Sequence, residues 1–291
     1  MMKRMGWTLA ILFGFSLSAS ADDKPKIVLI AGNPSHGPGQ HEHNAGVMLI
    51  EKCLKSCNPN LEVVVVKGGW PKDEKVFENA KAVVIFSDGG GGHPLIQGSH
   101  LITMQQLMEK GVGLVALHYA VEVPKGEPGD RWLDWIGGYY ESGFSTNPHW
   151  EADVKALPKH PITQGVSPFK VNDEWYYNIR FRPEMKGVTP IVVANPDDKT
   201  RIGETSSPRG PYKHIVEAKG RDEVLAWAVE RPDGGRGFGF TGCHNHKNWG
   251  DPNFRKLVLN AVLWAAKLDV PEAGVACEVT PEELKMNLDP K

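Results

Sequence analysis

Histidines and carboxylates cluster at a few points of this 291-residue chain. His118 follows directly on the apolar run Leu114–Leu117, and His244 and His246 bracket Asn245 in a second histidine-rich turn. His36, His41, Glu42 and His43 share one loop, and His93 follows four consecutive glycines. Asp173 and Glu174 stand together beside Trp175, Tyr176 and Tyr177. Imidazole changes charge near neutral pH and, when neutral, ligates metals. Imidazole with carboxylate suits zinc, manganese or iron, and an open position on such an ion accepts a substrate oxygen or a water. His118 and His244 are candidate ligands for a divalent metal, with His41, Glu42 or His93 as the third and His41 placed first among them. The same groups also serve without one, with Glu174 or Glu42 as base and a histidine as acid. A carboxylate in apolar surroundings has a raised pKa, which suits proton transfer. Each group also has a plainer reading, as helix cap, ion pair or loop histidine.

These side chains need a frame to hold them. Gly111 to Leu117 is a short apolar run introduced by glycines, the mark of a buried parallel strand. Lys26–Ala31, Leu61–Val66 and Ala80–Ser87 read the same way, with helical spacing over Ala45–Leu54 and Leu101–Lys110 between them. Pro190–Ala194, Val224–Val229 and Arg236–Gly242 read as later strands, the last two joined by a hairpin turn at Pro232–Gly235. A final helix is predicted from Asn253 to Lys267, with Asp251 as its cap and Pro252 in its first turn. Strands alternating with helices predict an α/β fold, a doubly wound and mostly parallel sheet in three layers. Ligands bind such sheets at the carboxyl ends of the strands, where His41, His93, His118 and His244 fall. The aromatics from Trp132 to Trp150 fit either a wall for stacking sugar rings or core beneath a long excursion. Leu268–Lys291 is expected to lie loosely over the surface.

Composition narrows the class of partner. A formal charge of −2 and a hydrophobic content of 41% describe a globular chain with a substantial core. Nothing in that balance points to a nucleic-acid partner. Residues 1–21 carry Lys3 and Arg4, an apolar core from Trp7 to Leu17, and Ala19-Ser20-Ala21, which together predict a cleaved export signal. That core is too short to span a membrane. Export to the periplasm or outside the cell permits disulfides, and the four cysteines (Cys53, Cys57, Cys243 and Cys277) allow three pairings. Cys53 and Cys57, one helical turn apart, read as plain helix-face residues or as a redox or metal pair.

The order of motifs resembles the ThuA-like, trehalose-utilisation family. The resemblance is carried by Lys26–Ala31 with Ser35-His36-Gly37 and His41-Glu42, by Gly92-His93, and by the strand ending at His118. Asn172–Trp175 and the closing run Gly235–His244 continue it, with Trp249, Asp251-Pro252, Phe254-Arg255 and Leu259–Ala261. It implies a class I glutamine amidotransferase-like (flavodoxin-like) domain over residues 22–267, followed by a tail. In that fold a strand-end turn holds a nucleophilic cysteine and a late strand supplies its histidine. Here His118 stands at the cysteine's place and His244 at the histidine's, which argues against a Cys–His glutaminase. The family's association with disaccharide use implies action on sugars or keto-sugars, as a hydrolase, lyase or isomerase. The alternative is a non-catalytic carbohydrate-binding or scaffold protein on the same fold. His93, Tyr119, Trp175 and Trp249 are the candidates for holding the sugar. An enzyme requires His118, His244 and a carboxylate to converge within roughly 3 Å, directly or through a water or metal; a binding module does not.

Overall fold

The computed structural model describes residues 24–203 and 210–291. The export signal predicted for residues 1–21 lies outside them. The strands are β1 (Lys26–Ala31), β2 (Glu62–Val66), β3 (Ala80–Phe86), β4 (Gly113–Leu117), β5 (Gly138–Tyr139) and β6 (His149–Val154). They continue as β7 (Phe169–Glu174), β8 (Arg180–Phe181), β9 (Val188–Ala194), β10 (Glu223–Glu230) and β11 (Arg236–Phe240). The helices are α1 (His43–Cys57), α2 (His100–Glu109), α3 (Glu127–Trp135), the single-turn α4 (Asp198–Arg201) and α5 (Lys213–Val216), and α6 (Pro252–Ala265).

One seven-stranded sheet runs in the order β2-β1-β3-β4-β11-β10-β9. The first five in that order are parallel, and β10 is antiparallel to both its neighbours. Alternate residues of each central strand serve opposite layers. Ile27, Leu29 and Ala31 pack with α1 and α6, while Val28 and Ile30 pack with Met104 of α2 and Trp132 of α3. This is the three-layer, doubly wound α/β sheet that the sequence predicts. The side hairpin β6–β7 packs its Trp150, Ala152 and Val171 into the α6 layer and ends at Glu174.

Two expectations change. The tail does not lie loosely: Cys277 is disulfide-bonded to Cys53 of α1, and the Val275 amide donates to Asn260 Oδ1 at 2.8 Å. Asp289 is buried and caps α1, accepting from the His43 amide at 2.7 Å and the Asn44 amide at 3.4 Å. A carboxylate there offsets both unpaired helix amides and the positive end of the helix dipole. With Cys53 bonded to Cys277, a Cys53–Cys57 redox or metal pair is ruled out, and Cys57 and Cys243 are free. The aromatics Trp132, Trp135, Tyr139, Tyr140 and Trp150 are buried core, so they form no exposed stacking wall. Among the described residues no helix is long and apolar enough to cross a membrane.

Candidate metal centre

Four segments deliver polar side chains to the carboxyl edge of the sheet. The loop after β1 brings His36 and His41, β3 runs into Asp88, β4 into His118, and β11 into His244. The strand order reverses between β1 and β3, so His41 and Asp88 occupy the switch point where open sheets bind ligands. Glu174 arrives from the side, at the end of β7. The backbone is strained at these places: φ is 58° at His36, 44° at His41, 54° at His118 and 94° at Cys243. Left-handed backbone at residues other than glycine costs on the order of 1–3 kcal/mol each and persists only where the surroundings enforce it. His118 therefore turns as a strand-end nucleophile would, while presenting an imidazole.

The donors meet at one point. His41 Nε2 is 3.0 Å from both His118 Nε2 and His244 Nδ1, and His118 Nε2 is 3.3 Å from His244 Nδ1. Glu174 Oε2 completes the group at 3.4 Å from His118 Nε2 and 3.0 Å from His244 Nδ1. The second nitrogens fix the tautomers. His41 Nδ1 donates to Asp88 Oδ1 at 2.7 Å, and His118 Nδ1 donates to the Thr241 carbonyl at 2.8 Å. Both partners only accept, so each Nδ1 carries the proton and each Nε2 presents a lone pair. Two lone pairs thus face each other across 3.0 Å in a buried site, an arrangement that repels unless a cation lies between them. Nitrogen donors bound at about 2.0–2.1 Å to one tetrahedral ion stand roughly 3.3–3.4 Å apart, close to the 3.0–3.4 Å found among these donors. The His–carboxylate and His–carbonyl bonds are the outer support typical of metal-binding imidazoles.

The electrostatics favour a neutral His41 imidazole beside an ionised Glu174 carboxylate. Burial drives His41 down to about 2, against the pull of Asp88 and with the push of His118, His36 and His244. Burial would raise Glu174, but the imidazoles of His118 and His244 hold it well below the carboxylate range. Burial likewise opposes Asp88's ionisation, yet its bonds from His41 and Ser35 bring it to about 2. Cys243, next to His244, is pushed far up by burial and by Asp173, so it stays an unreactive thiol.

Asp173 and Glu174, adjacent in sequence, do different work. Glu174 enters the centre and accepts from Asn147 Nδ2 at 3.0 Å. Asp173 is fully buried and binds backbone: its oxygens accept from the amides of Cys243 at 2.8 Å, Asn245 at 2.9 Å and Glu174 at 3.0 Å. It fixes the strained turn that aims His244.

Other candidates lie elsewhere. Glu42 is turned away from the centre: its Oε1 accepts from the Gly39 amide at 2.7 Å and its Oε2 from the Asp289 amide at 2.6 Å. It clamps loop to tail and has no oxygen left for catalysis. His93 is buried, with Nε2 on the Ala120 carbonyl at 3.1 Å and Nδ1 accepting from the Leu95 amide at 3.1 Å. Burial lowers its pKa to about 4, and it braces the glycine loop without reaching a ligand. Trp175 and Trp249 are fully buried in the α6 layer, Trp175 donating to the Val171 carbonyl at 2.9 Å, so neither offers a sugar a face. Tyr119 does stand at the centre, its ring 6.0 Å from that of His41.

Sequence reasoning passed over several neighbours. Asp88 stands two residues past β3, at the head of the glycine loop, so a strand-end signal was present. Tyr176, 3.2 Å from His118 Nε2, and the exposed His149, 4.8 Å ring to ring from His244, come from the β6–β7 side unit. His36, already singled out in the sequence with the loop of His41, stacks on His41 at 3.6 Å and is 40% exposed, leaving it at the mouth.

The sequence profile of the family described as ThuA, trehalose utilisation, matches residues 27–265. A putative ThuA-like protein from Bacteroides uniformis ATCC 8492 superposes with a TM-score of 0.60 at 14% identity, covering 88% of this chain and 97% of its own. Another, from Parabacteroides merdae ATCC 43184, gives 0.52 at 16% identity, covering 89% and 94%. At such identities the likeness speaks for the fold alone. No curated protein matches the chain. With the profile spanning nearly all of the sheet and the centre, the chain belongs to the ThuA, trehalose-utilisation family.

Proposed function

We propose that this protein is a metal-dependent enzyme acting on sugars or keto-sugars at the histidine-lined edge of its sheet. The observation that carries this reading is the pair of facing lone pairs on His41 and His118, closed by His244 and Glu174. His41, His118, His244 and Glu174 would hold a divalent ion, and three imidazoles with one carboxylate suit manganese, iron or zinc. When bound, such an ion polarises a substrate oxygen as a Lewis acid. The chain's own groups do the rest. Asp88 and the Thr241 carbonyl keep His41 and His118 in the Nδ1–H form, and Asp173 keeps His244 aimed. Tyr119, His36 and His149 stand at the opening with groups suited to hydroxyls, and the buried Tyr176 hydroxyl reaches His118 from behind. Support for a sugar is membership of the trehalose-utilisation family.

The deciding experiment is metal analysis of the purified protein, followed by assay against glucosides and their keto derivatives with and without chelator. Bound metal near one equivalent and activity lost on chelation are expected. Full activity in metal-free protein overturns the reading. Export is part of the same proposal, supported by residues 1–21 and by the Cys53–Cys277 disulfide, which suits an oxidising compartment. A mature protein that begins at Asp22 is the expected result, and an intact Met1 recovered from cells refutes it.

A further inference from the structure

The carboxylates near the centre divide into those with partners and one without. Asp88 holds His41 and Ser35, Glu174 holds two imidazoles and Asn147, Asp173 holds three amides, and Glu42 holds two. Glu122 alone takes no hydrogen bond or ion pair at its side chain among the described residues. It is only half exposed to water at most, and an ionised carboxyl in such a place is costly without a partner. Burial first, and the Glu174 charge second, raise it to about 7. The fold therefore keeps a carboxyl group poised between acid and anion at physiological pH, the setting expected of a proton donor.

Its place is set by the turn after β4. The Glu122 amide donates to the Tyr119 carbonyl at 2.9 Å, and its own carbonyl accepts from the Gly90 amide at 2.9 Å. The glycine loop lies so close on this turn that a Cβ at Gly89 would stand 2.1 Å from the Tyr119 oxygen and 2.7 Å from the Glu122 carbonyl oxygen. Glu122 Oε1 and the Tyr119 hydroxyl each lie 3.6 Å from where a Cβ at Gly90 would be, and Gly91 and Gly92 face open space. The tyrosine's ring in turn packs 6.0 Å from His41. Glu122 thus stands one tyrosine away from the metal donors, under a loop that lacks side chains to block a ligand.

We infer that Glu122 is a further catalytic residue of this site, the acid that gives a proton to the departing oxygen of a glycoside. The inference rests on the sugar reading above. The proton passes from the Glu122 carboxyl to the glycosidic oxygen as the bond from that oxygen to the anomeric carbon breaks. The bonding electron pair stays on the oxygen, which leaves as an alcohol. Water adds to the anomeric carbon and surrenders a proton to the Glu122 carboxylate, restoring the acid. Facing Glu122 are Tyr119 from its own turn and Glu174 and Tyr176 from the end of β7, while the Tyr140 backbone bridges to it beyond β5. Burial of the Glu122 carboxyl favours the protonated form.

The test pairs a poor leaving group with a good one. Wild type and Glu122→Gln are assayed on methyl and p-nitrophenyl glucosides of both anomeric forms, with metal content and melting temperature measured alongside. The expected result is a loss of about 10²–10⁴-fold in kcat/KM on methyl glucosides. On nitrophenyl glucosides, whose leaving oxygen needs no proton, the loss stays under about tenfold, with metal content unchanged. Glu122→Asp, which keeps an acid, recovers part of the lost rate. In the wild type, turnover of the methyl glucoside falls above about pH 7, because the donor must be protonated, while nitrophenyl turnover does not; this needs no variant. Equal losses on both substrates, or none, overturn the role of Glu122 and leave the metal reading standing. Wild-type protein that cleaves neither these glucosides nor their keto derivatives overturns the sugar reading and this inference with it.

Discussion

Replacing Asp173 with alanine tests whether the centre is held from behind. The two Asp173 oxygens accept from the backbone amides of Glu174, Cys243 and Asn245 and from Asn245 Nδ2, at 2.8–3.2 Å. Alanine strips three backbone donors of their acceptor in a buried place. At about 1–3 kcal/mol for each unsatisfied group, the loss is roughly 3–6 kcal/mol once some relaxation or water entry is allowed. That is a large share of the 5–15 kcal/mol typical of a domain. The strain at Cys243, with φ of 94°, adds to the tendency of this turn to relax. Relaxation moves His244, so metal affinity should fall about 10–100-fold, as for other supports behind a metal ligand. Urea denaturation gives the stability, and calorimetric titration with manganese or zinc gives the affinity. Asp173→Asn, which keeps one acceptor oxygen, should lose less on both measures. A stability change under about 1 kcal/mol for the alanine variant, with unchanged metal affinity, refutes the argument that Asp173 fixes the His244 turn.

Three further outcomes are expected. His41→Ala, His118→Ala and His244→Ala should each lose bound metal on purification, whereas Glu42→Gln should retain it and lose stability instead. Metal retained by all three histidine variants would sink the centre. His93 is neutral in the fold and has a pKa near 4, below its unfolded value of 6.5. The unfolded chain therefore binds the extra proton between pH 4 and 6.5, and stability falls as pH drops through that window, by up to about 1.4 kcal/mol per pH unit. His93→Gln should flatten the slope of unfolding free energy against pH there, and an unchanged slope contradicts the assignment. Cys53→Ser or Cys277→Ser should lower stability by about 2–4 kcal/mol, read by denaturation with and without reductant. No difference between oxidised and reduced wild type would mean the bond does not form.

Much of the frame was legible because apolar patterning is a local signal. Lys26–Ala31 is a strand with the predicted bounds, and α6 starts at Pro252 behind an Asp251 whose Oδ1 accepts from the Asn253 and Phe254 amides. Strand-end position singled out His118, because a polar residue straight after a buried strand has few other reasons to be there, and His244 stood out in the turn that follows β11. The finer division of labour was not legible. Asp173 and Glu174 differ by one residue, and the strand alternation that turns one inward to backbone and the other to the centre depends on pairing with β6. Glu42 looked like a site residue because it is next to His41. Its partner, the Asp289 amide, lies 247 residues away, a distance over which sequence spacing carries no contact information. The tail looked loose for the same reason, since its anchors are single residues spread along a polar stretch.

The position of β11 governs when this centre can exist. It is the last strand made, yet it lies in the middle of the sheet, pairing β4 on one side and β10 on the other. Before it is added, the strands β2-β1-β3-β4 and the pair β9–β10 share no edge, and the fourth donor, His244, has no place to stand. A nascent or partly threaded chain therefore carries imidazoles but no trap for an ion. Loading has to wait for the keystone strand, so the ion acquired is one available wherever the completed polypeptide closes up.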